Sequence, residues 1–433
     1  MFWFPTAKSR KTIARLDRRR RQRRLARLFL FLLIFFGLTT ASPLPAQALL
    51  VQVNQVTSPY KFDFVNWESF TIANEIFRRW HPPILPVAEV EQRILVERFL
   101  AQEQQIGDLE NQLDQYYTKN SSSLPPATTL IQKLAQLKQA QAAITPQVET
   151  ILSHQTESVL HDEGFTVAGQ VFPPVAFRFI DPPTALILSP RDKIVSRYFV
   201  GLLPGLDNSI RTNIESTLDR RGDVSSYVTN IGGLASYPTM VIVHPDLIYL
   251  TEVIAHEWTH NYFFTFPTNM AWAYQTYPRL TTINETTADI VGQEIGRQVI
   301  LRFYPDWADR LPPLDPTGQP APAKPSDFDL AMRRIRLEVD RLLATGQVTQ
   351  AETFMEAERV KLVKQGYNLR KLNQAYFAFH GSYALSPGSV DPTGPQLRRL
   401  RAASLSLRAF VNRVGWLNSD ADYVRWLLEA GIN

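Results

Sequence analysis

His256-Glu257-Trp258-Thr259-His260 lies inside an apolar-periodic run that begins near Leu247. Positions four apart share a face only on a helix, so the run predicts a helix that aims two imidazoles at one point, where both can bind the same ion. Pro245 and Asp246 mark its start. Glu257 then falls beside that point, placed to take a proton from water held on the ion. The next helical stretch, Thr282 to about Tyr304, opens with Asn284-Glu285-Thr286-Thr287-Ala288-Asp289. One of its two carboxylates, Glu285 and Asp289, can complete a three-ligand set with an open fourth position. The other can accept the N–H of a ligating imidazole and set its tautomer. Without the paired histidines, the same acids would read as stabilising a helix N-terminus. Gly292 and Gly296, again four apart, let this helix approach its neighbour closely.

The chain has 433 residues, 45% of them hydrophobic, enough for a sizeable core and too apolar for wholesale disorder. Its net charge of +5 misleads, because the first 48 residues hold 11 Lys/Arg and one acid, and the remainder is at −5. The basic run Arg18–Arg27 has no interleaved aromatics and leads straight into Leu28–Leu38 (LFLFLLIFFGL), so no nucleic-acid partner is expected. Eleven apolar residues after a basic stretch, followed by Pro43, Pro45 and Ala46-Gln47-Ala48, read as a signal peptide cleaved after Ala48. The alternative is an uncleaved anchor that attaches the protein to a membrane. Either way the body is expected to be exported, and with no cysteine a large core must hold it.

The expected fold class is predominantly helical α+β: a small mixed sheet beside a helical core, with an N-terminal helical hairpin. Residues 49–165 read as a helical region, 166–305 as the core carrying the paired histidines, and 306–433 as a helical region completing the cleft. The hairpin is expected from Val87–Tyr117 and Ala127–His161, separated by the breaker run Asn120–Pro126, with Pro146 kinking or splitting the second helix. Strands are expected at Val175–Ile180, Ala185–Leu188, Ile194–Leu203 and Met240–Val243, with a helix near Leu206–Leu218 between them. Two proline-rich segments, Leu311–Pro325 and Leu385–Pro395, read as surface connections or lids.

The pair of motifs, His256-Glu257-x-x-His260 and Asn284-Glu285-x-x-Ala288-Asp289, resembles the gluzincin metallopeptidases, the group that includes thermolysin and the zinc aminopeptidases. The resemblance covers roughly Gly232 to Ile300. It implies a zinc ion held by His256, His260 and Glu285, with Glu257 as general base and Asp289 behind a ligand histidine. It also implies a strand near Gly232–Val243 whose edge pairs with a peptide or protein substrate. The 24 residues between His260 and Glu285 exceed the interval of the best-known members, so an enlarged loop carrying Tyr262, Trp272, Tyr274 and Tyr277 is expected. No GxMxN motif of the zinc aminopeptidases is present. For the oxyanion-stabilising group that the resemblance implies, Tyr376 and His380 are assigned as sharing one face of the run Asn373–Ala384. Tyr383 and Tyr274 are the other candidates.

The remaining histidines carry blander readings: His154 and His161 solvated on a helix, His244 at a turn or cap, and His81 ahead of two prolines. The expected activity is hydrolysis of peptide bonds by an exported zinc enzyme. The rival is a non-enzymatic envelope scaffold or binding protein whose hairpin is the working part and whose metal site is structural.

Overall fold

A computed structural model describes residues 47–119, 126–265, 268–273, 277–386 and 388–432. The apolar segment Leu28–Leu38, residues 120–125 of the breaker run, and Tyr274 lie outside these. The chain divides into two compact units, one ending at Val56 and the other beginning at Thr57. The first carries most of helix α1 (Gln47–Thr57), whose first turn includes Ala48. Among the described residues no helix is long and apolar enough to cross a membrane.

Predominantly helical α+β is the class observed. The second unit opens with α2 (Phe64–Trp80), whose first turn is capped by the Asp63 side chain. The expected hairpin follows as α3 (Glu89–Lys119) and α4 (Ala127–Asp162). The pairs Gln141–Glu103 and Lys138–Glu110 fix its antiparallel register. Pro146 does not split α4, which runs unbroken through it. The proline forfeits one bond of a 36-residue helix. Around it, Val148, Ile151 and Leu152 are buried, and Arg78 donates to the Pro146 carbonyl, so packing outweighs the lost bond.

The β region is more divided than the sequence suggests. After the two-residue strands β1 (Thr166–Val167) and β2 (Gln170–Val171) come β3 (Phe177–Phe179), β4 (Thr184–Pro190) and β5 (Tyr198–Leu202). Helix α5 (Asn208–Asp219) then leads to β6 (Val224–Thr229), β7 (Gly233–Leu234) and β8 (Thr239–Val241). One antiparallel sheet has the order β5-β4-β6. The other is mixed, in the order β3-β8-β7, with β3 parallel and β7 antiparallel to β8. The two-residue strand β7, Gly233-Leu234, has no β-branched or aromatic residue to mark it, whereas β6 carries four in six and was legible as a strand, though not among those expected.

Helix α6 (Leu247–Thr265) starts where Pro245 and Asp246 predict, with the Asp246 carboxylate accepting from Ile248 N. A single turn, α7 (Met270–Ala273), leads to α8 (Pro278–Phe303), which begins a turn before Thr282 because Pro278 occupies its first position. Next come α9 (Asp327–Ala344), α10 (Val348–Lys364) and α11 (Gln374–His380). The chain closes with α12 (Thr393–Ala402), α13 (Leu407–Gly415) and α14 (Asp420–Glu429). One continuous core gathers Phe99 and Leu152 of the hairpin, Trp258 of α6, Ile283 of α8, Phe410 of α13 and Tyr423 of α14. A second core lies between α9 and α10 and takes in Tyr376 and Phe377.

The two central helices α6 and α8 pack antiparallel and unusually close. A Cβ built on Gly292 would lie 2.7 Å from the Glu252 carbonyl oxygen, and one on Gly296 would lie 2.9 Å from the Glu252 nitrogen. Both obstacles are backbone, so neither can swing aside. Gly292→Ala is therefore expected to destabilise the protein by about 1–3 kcal/mol through overpacking. Denaturant unfolding of the two proteins checks this.

Candidate metal centre

The face of α6 opposite the site is anchored first. Trp258 Nε1 donates to the Pro173 carbonyl at 2.8 Å, and its ring packs against Phe165 and Tyr262. Tyr262, expected in an enlarged loop, belongs to this helix instead, with its hydroxyl donating to Asn412 Oδ1 at 2.6 Å. With that face held, His256 and His260 turn toward α8. Their Nε2 atoms are 3.1 Å apart, and each lies 3.6 Å from Glu285 Oε2. These three side chains form a group that can hold a metal ion, the one such group among the described residues. A point equidistant from three atoms so spaced is about 2.0 Å from each, the length of zinc bonds to imidazole nitrogen and carboxylate oxygen. The donor set therefore fits such an ion.

The outer nitrogens are also committed. His256 Nδ1 meets Asp289 Oδ1 at 2.9 Å, and His260 Nδ1 meets Asn284 Oδ1 at 3.2 Å. Two oxygen acceptors at the Nδ1 positions place the ring protons there and leave both Nε2 lone pairs facing Glu285. Asp289 thus stands where the sequence predicted. Asn284 was quoted as part of the motif but given no role, although its position just before Glu285 was a usable signal.

Burial alone would raise the Glu285 carboxyl, but the His260 and His256 imidazoles more than offset it and hold it far below the usual carboxylate range. Glu257 shows the opposite balance: burial keeps its carboxyl raised against the pull of the two imidazoles. Its carboxylate is not one of the three donors. It lies across the backbone of β7, where a Cβ on Gly233 would come within van der Waals overlap of Glu257 Oε1. The β7–β8 turn is tied to the same helix by Asn261 Nδ2, which donates to the Ser236 carbonyl and to Thr239 Oγ1.

Tyr376 and His380 are placed elsewhere. Their rings pack at a tilt, with centroids 4.2 Å apart, and lie against Tyr227 beside the second core, and burial lowers His380 to about 4. Neither contacts the three donors. Helix α11 ends at His380, and the chain turns back so that Tyr383 comes to the site instead. Its ring stacks on His256 at 6.4 Å, and its hydroxyl is near enough to the Glu285 carboxylate to feel its charge. The turn is held by Ala384 N donating to Thr286 Oγ1, and by Gly394, where a Cβ would overlap the Ala384 carbonyl. Burial first, and then the nearby acids, push the Tyr383 hydroxyl well above its ordinary value, so it stays protonated. Both proline-rich segments reach this region. Ala321–Ala323 and Leu385–Ser386 line a cavity of about 290 Å³ with Asp289 and Tyr383. His244 caps α6 by accepting from Asp246 N, as its blander reading held.

No protein-family model matches this chain, and no curated protein or solved structure does. The chemistry of the site is therefore argued from its own geometry.

Elemental analysis is expected to find one metal ion per chain in the wild type and none in His256→Ala. A second expectation concerns Glu252, which lies under Gly292 and Gly296 and has a carboxyl raised to about 7 by burial and by the charges of Asp246 and Asp289. A carboxyl raised on folding costs stability once it ionises. The cost is absent below about pH 4.5 and complete above about pH 7. Glu252→Gln should flatten the stability profile across that window and gain on the order of 2 kcal/mol at pH 8, measured by denaturant unfolding at several pH values.

Proposed function

We propose that the protein is an exported zinc-dependent peptidase, with His256, His260 and Glu285 as zinc ligands and Glu257 as general base. The observation that carries this reading is the division of labour among the acids. Three side chains converge as donors, while Glu257 is buried beside them without joining the set. A structural zinc site closes with four protein ligands and has no use for a neighbouring base, whereas a catalytic one keeps a position open. Export rests on the basic and apolar pattern of the first 48 residues.

Bound zinc would supply Lewis acidity, polarising the scissile carbonyl and making water a better acid. Glu257 accepts the proton of the attacking water and returns it to the leaving amine. Asp289 and Asn284 hold the His256 and His260 rings in orientation through their Nδ1 protons. The Tyr383 hydroxyl donates to the oxygen on which negative charge develops, the part first expected of Tyr376 and His380. Strand β7 lies at the edge of its sheet beside Glu257, so an extended peptide can add to it through main-chain hydrogen bonds.

The test uses zinc-loaded protein and an unfolded-protein or peptide-library substrate. Glu257→Gln should lower turnover about 100- to 10,000-fold with zinc content and folding unchanged. Tyr383→Phe should lower kcat about 100-fold with little change in KM. Cleavage that survives in Glu257→Gln, or a zinc-loaded wild type that cleaves nothing, overturns the peptidase and favours the scaffold with a structural metal.

A further inference from the structure

Helix α2 is built inside out. Three of its charged side chains are held on the inner side: Glu68 Oε1 accepts from Tyr237 N at 3.4 Å, Glu75 pairs with Arg178, and Arg78 donates to Glu149 Oε2 at 2.8 Å. Phe64 and Trp67 are half-buried, but most of its other large apolar side chains point out. Phe70, Ile76 and Phe77 are all more than half exposed, and Trp80 is 80% exposed. The positions 65, 69, 72, 73, 76 and 80 follow helical spacing along this outer face, and none is charged. The apolar surface continues into the turn that follows, where Ile84 is 89% and Val87 98% exposed. Helix and turn share one support on α4, since Arg78 donates to the Pro146 carbonyl and Gln147 donates to that of Ile84.

A surface helix normally shows the reverse arrangement, with charge in water and apolar groups on the core. An outward apolar stripe of this length, held by ion pairs on its inner side, calls for a covering phase. We propose that this face of α2 and the 81–87 turn lies in the interfacial layer of a lipid bilayer. Two observations select lipid over another protein surface. The sequence preceding α2 contains the basic run Arg18–Arg27 and the apolar segment Leu28–Leu38, which in their reading as an uncleaved anchor tether this end of the chain to a membrane. Only 25 residues separate Leu38 from Phe64. In addition, the exposed side of α2 carries Phe70, Phe77 and Trp80, side chains suited to the apolar face of an interfacial helix, and both acids of α2 are turned away from it, which removes the repulsion an anionic surface would meet. Because Glu68 meets the β7–β8 turn, a bilayer on this face would lie near the sheet that carries Gly233 and hold the candidate metal centre close to the membrane surface.

The absence of cysteine allows clean single-site labelling of the full chain. An environment-sensitive fluorophore is placed on Ile76→Cys, on Trp80→Cys and, as a control, on Leu405→Cys, which is fully exposed in the turn between α12 and α13. All three positions face solvent, so the substitutions spare the core. Vesicles of equal parts zwitterionic and anionic phospholipid are then added. The expected result is blue-shifted emission at positions 76 and 80 but not 405, together with loss of that emission when the vesicles carry a spin-labelled lipid. Emission at 76 and 80 that tracks position 405 overturns the proposal. So does a blue shift that rises with protein concentration in the absence of lipid, which would mean that a second copy covers the helix, or a shift that spin-labelled lipid leaves unquenched.

Discussion

The close approach of α6 and α8 is the constraint on which the site depends. Three donors can converge on a point about 2 Å from each only if the helices carrying them run nearly in backbone contact. Gly292 and Gly296 make that contact by leaving room for the Glu252 backbone. The antiparallel pairing then fixes which residues meet: Glu252 with the two glycines, His256 with Asp289, and His260 with Asn284 and Glu285. A shift of one residue along either helix would rotate the donors by about 100° and dissolve the group. The side chains on the far side, above all Trp258 bonded to the Pro173 carbonyl, keep α6 from rotating.

Lacking disulfides, the chain joins its sheets to its helices with buried ion pairs as well as apolar contact. Glu149 of α4 accepts from Arg78 and from Phe179 N, linking α2, the hairpin and β3. Glu215 of α5 takes a two-pronged bond from Arg370 and also accepts from Val228 N, which joins the β5-β4-β6 sheet to the segment ahead of α11. Such pairs add little net stability over apolar contacts of the same size, yet losing one partner strands a buried charge, so they define the arrangement more than they strengthen it. Their positions matter to the site because the segment after Arg370 leads through α11 to Tyr383.

What could be read in the sequence divides along local and long-range lines. The start of α6 was legible because Pro245, Asp246 and the apolar period all act within one or two turns, while its end was not, since Tyr262 is held in the helix by Asn412, far along the chain. The hairpin was legible for the same local reason as that start. The continuity of α4 through Pro146 was not, since it depends on Arg78 and on core contacts far away in sequence. Tyr376 and His380 share a helical face, as their spacing required, but which surface that face meets is decided by Tyr227, about 150 residues upstream. Tyr383 would have shared the face too had α11 continued. The helix stops at His380, and the turn that redirects Tyr383 is held by Thr286, a contact no local pattern could reveal.

The charge balance of the centre bears on the cation that its three donors could hold. Glu257, Glu285 and Asp289 surround two imidazoles whose Nδ1 protons are already committed. With neutral rings, three negative charges would share a largely buried space, an arrangement that costs several kcal/mol per uncompensated ion. Protonating one imidazole relieves part of the charge and lets its Nε2–H donate to the other Nε2 across 3.1 Å, whereas protonating both would turn two Nε2–H groups toward each other. A divalent cation held by His256, His260 and Glu285 would offset two of the three negative charges without protonating either ring. A single excess negative charge would then remain among the three acids. That excess would favour proton uptake by Glu257, whose burial already raises its carboxyl, as the role of general base proposed for it requires.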